Sequence, residues 1–239
     1  MSVALCVKRE RLATSLRLTR LTILFAGLLL FANGCGKQST AIGPATKPQE
    51  SQVRVMATAN TVLVDTSAAE FTIAPNGYVA ASLLTGDRKI SLDDAGSDSG
   101  VQVAADAKEL PPAVFDVAHA QISETHGRLG TKGKRVEISG GNSAANLEES
   151  LMVEVYDDFP QIALVSVSIR NAGKSELKLD TVDLDRHRFN ASLADSAAAP
   201  NEMWSFHGAS IKWGKDNVFE IPRNFSQQNQ MGSLVEVKG

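Results

Sequence analysis

The stretch Glu148–Asp185, EESLMVEVYDDFPQIALVSVSIRNAGKSELKLDTVDLD, decides the fold class. Leu151, Val153 and Val155 alternate with Met152, Glu154 and Tyr156, the period of two that turns one side of a strand to a core and the other to water. Asp157, Asp158 and Pro160 break the pattern, because proline has no N–H to give a ladder and short acids favour turns. A second run, Ile162–Arg170, sets Val165, Val167 and Ile169 on one face and Ser166, Ser168 and Arg170 on the other, so only one side suits a core. Asn171-Ala172-Gly173-Lys174 follows; these residues tolerate positive φ and lie between alternating runs, which predicts a hairpin. Leu177 and Leu179 open a third strand, and Val182 and Leu184 are out of phase with them, which predicts a bulge near Asp180 or a twist that switches faces. Together the three runs predict an antiparallel three-stranded meander and an all-β domain.

The same punctuation continues towards the N-terminus. Val53 and Val55 alternate, Ala59-Asn60 interrupts, and Val62 and Val64 resume, which predicts a first hairpin. Phe71–Ile73 and Tyr78–Leu84 flank Ala74-Pro75-Asn76-Gly77, and Asn-Gly is among the stronger turn signals. Ile90 and Leu92 precede the acidic loop Asp93–Gly100. Its spacing of acids resembles a calcium loop, but the ordered ligand positions and the closing glutamate are missing, so a solvated turn is expected. Val101–Ala105, Val114–Glu124 and Arg135–Ser139 continue the strands, with breaks at Pro111-Pro112 and Gly127–Gly133. Within Val114–Glu124, Phe115, Val117 and Ile122 do not keep one phase, so one irregular strand and two strands both fit. His119 and His126 flank this run with Glu124 nearby, but the spacing does not put the three on one strand face; surface histidines are expected, with no metal and no cofactor. Asn142–Ser150 has the length of a turn or two of helix, with Asn142 as N-cap and Glu148 and Glu149 exposed, too short to organise packing. Many short strands bounded by Gly, Pro, Asn and Asp, with few aromatic residues, argue an antiparallel β-sandwich.

The first residues read as a targeting segment. Lys8, Arg9, Arg11, Arg17 and Arg20 form a basic region, Leu21–Ala32 is apolar apart from Thr22, and Asn33-Gly34-Cys35 closes the run. About a dozen apolar residues fall short of the roughly 20 that span a bilayer, so this is a signal helix to be removed and not an anchor. Ala32-Asn33-Gly34-Cys35 resembles the lipobox of bacterial lipoproteins, although Ala32 stands where leucine is commoner and Asn33 is an unusual choice. The resemblance implies that Cys35 receives lipid and becomes the mature N-terminus; an ordinary secretory signal with a chance cysteine is the alternative. Gly36 is not the aspartate that retains such proteins at the inner membrane, which favours export to the outer membrane or periplasm. The expected organisation is a signal over 1–34, a tether over 35–50 rich in Ser, Thr, Gly, Ala and Pro, and a sandwich over 51–239. Cys6 and Cys35 are the only cysteines, so no disulfide is expected and the core must hold the domain. A net charge of -3 that grows more negative without the leader gives nucleic acid no basic footprint.

Two stretches invite chemistry. Asp183, Asp185 and His187 would share a strand face, and two carboxylates beside an imidazole suit acid/base work; alternating charges that protect an edge strand are the simpler account. Asp157 and Asp158 are read as turn residues and not as a glycosidase pair, which would need two carboxyls about 5 Å apart in a sugar-sized pocket. The second stretch, Met203–Phe219, reads MWSFHGASIKWGKDNVF and holds both tryptophans of the chain. A flat indole beside small residues is the composition of a sugar-stacking platform, although core tryptophans are the commoner case.

VEVYDDFPQIALVSVSIRNAG with the strand after it, then MWSFHGASIKWGKDNVF and IPRNFSQQNQMG, resembles the N-terminal β-supersandwich region of bacterial α-galactosidases of glycoside hydrolase family 36 and related melibiase-like proteins. The similarity runs from Ser51 to Gly232 and is strongest after Leu151. It implies a galactose-mutarotase-like supersandwich, a galactoside or related glycan as ligand, and Trp204, Trp213, His207 and Asp216 as carbohydrate contacts. In that family the sandwich precedes a (β/α)₈ barrel that holds both catalytic aspartates. This sequence stops at Gly239, so no catalytic residue is carried over, and an incomplete sandwich, inactive alone, is expected. The expected function is therefore the non-catalytic, carbohydrate-associated domain of an exported α-galactosidase-like glycosidase. A stand-alone, membrane-anchored surface lipoprotein that binds glycan or a partner protein is the second possibility, and a hydrolase built on Asp183, Asp185 and His187 the third.

Overall fold

Alternating apolar residues bury one side of the inner strands, and two antiparallel sheets close on each other through those sides. The computed structural model describes residues 50–94, 100–184, 186–206, 218–222, 226–228 and 234–236. The signal and tether, with Cys35, lie outside the described residues, as do Asp185, His207, Trp213 and Asp216. Among the described residues no helix is long and apolar enough to cross a membrane.

The first sheet is a meander of β1 (Arg54–Ala57), β2 (Val62–Asp65), β3 (Ala69–Ile73), β4 (Val79–Thr85) and β5 (Arg88–Ile90), neighbours in space as in sequence. Val62, Val64, Phe71, Ile73, Val79 and Ala81 are its buried side. The predicted hairpin at Ala59-Asn60 is closed by Thr58, whose hydroxyl donates to the Thr61 carbonyl at 3.0 Å and accepts the Thr61 N–H at 3.1 Å. Asn76-Gly77 is the turn between β3 and β4, with Gly77 at φ +81°.

The second sheet holds β8 (Val114–Phe115), β9 (Gln121–Thr125), β10 (Gly133–Asn142), β11 (Leu147–Tyr156) and β12 (Phe159–Asn171). Its order is β12-β11-β10, and β8 and β9 share the far edge of β10. A short 3-10 turn, Val117–His119, separates β8 from β9, which is why Phe115, Val117 and Ile122 could not keep one phase. A third sheet of β13 (Leu179–Asp183), β6 (Gln102–Ala105) and β7 (Lys108–Glu109) adds Val103 to the core. Two further hairpins, β14 (Trp204–Phe206) with β15 (Val218–Glu220) and β16 (Ser226–Gln228) with β17 (Leu234–Glu236), complete the described strands. The protein is an all-β, antiparallel sandwich whose core cluster joins Val64, Phe71 and Ile73 of one sheet to Phe115, Ile138, Leu151, Val153 and Val165 of the other. Full burial of a single side chain such as Leu151 contributes about 2 to 3 kcal/mol.

The decisive stretch is half as predicted. Asp157 and Asp158 form the turn between β11 and β12, and the register shift predicted near Asp180 lies between Leu179 and Thr181. The β11-β12 half of the meander is formed, but its third strand is not, because β13 pairs with β6 and not with β12. Asn171–Lys174 adopts no positive φ, so the chain crosses to the third sheet in place of reversing along β12. The helical turn expected over Asn142–Ser150 is absent as well. β10 and β11 meet there in a ladder running to Asn142 opposite Leu147, and the Asn142 side chain accepts the Ala145 N–H at 3.1 Å, closing the connecting turn.

Candidate functional site

Trp204 opens β14, the first of the residues expected to contact sugar, and its side chain is 70 % exposed. Glu220 of β15 lies directly opposite it and is also exposed, and directly opposed residues of an antiparallel pair project on the same face. Backbone bonds fix this hairpin: the Ile221 N–H donates to the Met203 carbonyl at 2.9 Å, and the Asn201 side chain donates to the Ile221 carbonyl at 3.2 Å.

The segment leading to Trp204 is held by a buried polar cluster that the sequence did not reveal. Asp93 and Phe189 form an isolated antiparallel bridge, flanked by the Asp94 N–H on the Arg188 carbonyl at 2.8 Å and the Asn190 N–H on the Leu92 carbonyl at 2.7 Å. At this crossing the Tyr78 hydroxyl donates to Asp93 Oδ1 at 2.5 Å, and His187 Nδ1 lies 3.0 Å from the phenol oxygen and 3.3 Å from Asp93 Oδ2. With the phenol proton committed to Asp93, the network assigns a proton to Nδ1, donated towards both oxygens. The imidazole is stacked on Phe189, centroids 5.3 Å apart and planes within 4°, and tilted against Tyr78 at 5.1 Å. Asp93 is buried, so the first acid of the loop Asp93–Gly100 is not solvated as expected. It joins the end of the first sheet to the segment that carries Trp204.

Of the trio Asp183, Asp185 and His187, Asp185 lies outside the described residues, and the other two have different partners. Asp183 is bonded to Arg186 at 2.6 Å on an exposed strand, while His187 turns to Asp93 and Tyr78. The histidines beside β9 are likewise apart: His119 pairs with Asp116 at 2.8 Å, and Glu124 pairs with Lys134.

Two glutamates five positions apart on β11, Glu149 and Glu154, are expected from the sequence to face solvent, and both are buried. Glu154 is on the face away from the sandwich core, yet it is fully enclosed. Arg135 donates through Nε at 2.9 Å and Nη2 at 2.6 Å to Oε1, Arg128 donates through Nη1 at 3.2 Å to Oε2, and the Thr125 hydroxyl donates to Oε1 at 3.2 Å. Burial alone would raise its pKa; the hydrogen bonds and charge of Arg135, with Thr125 and Arg128, outweigh it and hold the carboxyl below its ordinary value. Tyr156 is buried beside it, because the connection from β9 to β10 brings Arg128 and Gly130 over this face.

Glu149 faces the other way, in register with Gly140 and Ile169, and is 4 % exposed. Its Oε2 has no hydrogen-bond partner among the described residues, and burial pushes its pKa up. A carboxyl whose folded pKa is raised stabilises the fold below its unfolded pKa and ceases to do so as pH rises through the folded value. Glu149→Gln is therefore expected to raise stability by about 1 kcal/mol at pH 8 and to give no gain at pH 4. Urea denaturation at the two pH values measures this; an equal effect at both would contradict a desolvated carboxylate.

Comparison with protein-family models, with curated proteins and with solved structures gives no match to this chain.

Proposed function

We propose that this chain is an exported, lipid-anchored β-sandwich that contacts carbohydrate without cleaving it, the non-catalytic sandwich of an α-galactosidase-like glycosidase. The observation that carries the proposal is the exposed indole of Trp204 on a braced hairpin. An apolar ring of this size held in water is a poor choice for stability and a good one for stacking on a pyranose face, with Glu220 placed to bond ring hydroxyls. The sequence resemblance supplies the sugar class, a galactoside, and assigns Trp213, His207 and Asp216 to the same contact. Lipid on Cys35 supplies the membrane as the second partner.

The absence of cleavage is part of the proposal and rests on the resemblance, which carries no catalytic residue onto this chain. Asp183, Asp93 and Glu154 are each held by a cation, a phenol or both. Calorimetric titration with melibiose should give a dissociation constant in the roughly millimolar range, weakened at least about tenfold by Trp204→Ala, a loss of about 1.4 kcal/mol. An aryl α-galactoside should not be turned over. Absence of binding at millimolar melibiose, or turnover of the aryl galactoside, would refute the proposal.

A further inference from the structure

We propose that β12 pairs antiparallel with β12 of a second copy of this chain, making a two-fold dimer through a continuous sheet. At 13 residues β12 is the longest of the described strands, and among the described residues it pairs with β11 alone. An edge of this length presents a row of backbone donors and acceptors, and soluble proteins ordinarily blunt such edges with charge, proline, bulges or brevity. The other outer strands follow that practice: β5 carries Arg88 and Lys89, β7 Lys108 and Glu109, β13 Asp180 and Asp183, and β1 is four residues long with Arg54. β12 does not. From Gln161 to Ile169 it has no charge and no proline. Pro160 marks where pairing must begin, and the Pro160 carbonyl is already taken by the Thr66 hydroxyl at 2.8 Å.

A second copy of the same strand fits this edge for two reasons. Antiparallel pairing centred on Ser166 sets Val165 opposite Val167 and Ala163 opposite Ile169 on the core side, and Leu164 opposite Ser168 and Ile162 opposite Arg170 on the outer side. No like charges meet, and each Arg170 stays paired with its own Glu148. Val167 and Ile169 are only partly buried although they pack against the core, and the neighbouring strand would extend the sheet over them. A dimer of this kind is isologous and closes on itself, leaving no further edge of the same type.

Sedimentation of the full chain across a dilution series tests the proposal. The expected result is a reversible dimer, with S166K and S166E each sedimenting at the mass of one chain because like charges then meet on the two-fold. An equimolar mixture of the two variants should recover the dimer, a gain that misfolding of either could not produce. Far-UV circular dichroism of both should match the parent, since Ser166 is half-exposed on the outer side. A parent that stays monomeric at every concentration, a dimer unaffected by S166K, polydisperse aggregates in place of a defined mass, or a mixture that does not re-associate would each overturn it.

Discussion

Glu154→Ala should lower unfolding stability by about 3 kcal/mol at neutral pH, a larger loss than any exposed acid in the domain would give. The carboxylate is enclosed and receives five hydrogen bonds, from Arg135, Arg128, Thr125 and Tyr156. Its removal strands two guanidiniums over the buried Tyr156 and undoes the contact that holds the β9–β10 connection down. Each arginine side chain is 40 % exposed, so water can re-solvate the outer edges of both, which keeps the expected cost at the lower end for a broken buried pair. Glu154→Gln should cost about half as much, because it keeps the shape and one acceptor. The pH dependence separates charge from shape. The folded pKa of Glu154 is lowered from 4.5, so its contribution is present above the unfolded pKa and is lost as pH falls through the folded value. The gap between the parent and Glu154→Gln should therefore narrow below pH 4.5, read from urea midpoints at a series of pH values. A gap that holds constant down to pH 2 would show that packing, and not ionisation, supplies the difference.

Gly77→Ala should cost about 3 kcal/mol, against about 1 kcal/mol for Gly86→Ala. Both glycines have positive φ, +81° and +59°, so each substitution forces an L side chain into a region it avoids. They differ in surroundings. A Cβ on Gly86 meets nothing within 4 Å, whereas one on Gly77 would lie 2.7 Å from Phe115 Cε2 and 2.8 Å from Val101 Cγ2. Those two side chains belong to the core cluster and lie on β8 and just before β6, so the turn between β3 and β4 packs against the lead-in to both other sheets. Thermal or urea unfolding of the two variants measures the difference. Equal losses would mean that backbone strain alone is felt and that the core yields to the added methyl.

The strands were legible because period-two burial is a local property. Leu151, Val153, Val155 and Val165 bury as their alternation dictates, and Asn76-Gly77 turns as its chemistry dictates. Strand partnership is not local. Nothing in Lys178–Asp183 distinguishes pairing with β12 from pairing with β6, since both offer an open ladder, and the absent positive φ over Asn171–Lys174 decides for the crossover. The clamp on Glu154 was within reach of a closer count. Once the β10–β11 turn is placed after Asn142, the pairing of Asn142 with Leu147 carries Arg135 opposite Glu154, and an acid opposite an arginine on an outer face signals an ion pair. Its burial was not within reach, because the cover comes from the β9–β10 connection, which has no period to read. The bond from Asp93 to Tyr78 and His187 joins residues up to 94 positions apart, and the acidic run around Asp93 looks solvated until that crossing is known. Of the four proposed sugar contacts, Trp204 has its exposure established, while Trp213, His207 and Asp216 lie outside the described residues.

Fluorescence of the Trp213→Phe variant, in which Trp204 is the sole remaining tryptophan, tests the central claim most directly. Titration with melibiose should shift and intensify the emission of a water-exposed indole towards the blue in a saturable manner, with glucose-only disaccharides weaker. An emission spectrum unchanged to saturating melibiose would contradict a glycan-contacting Trp204.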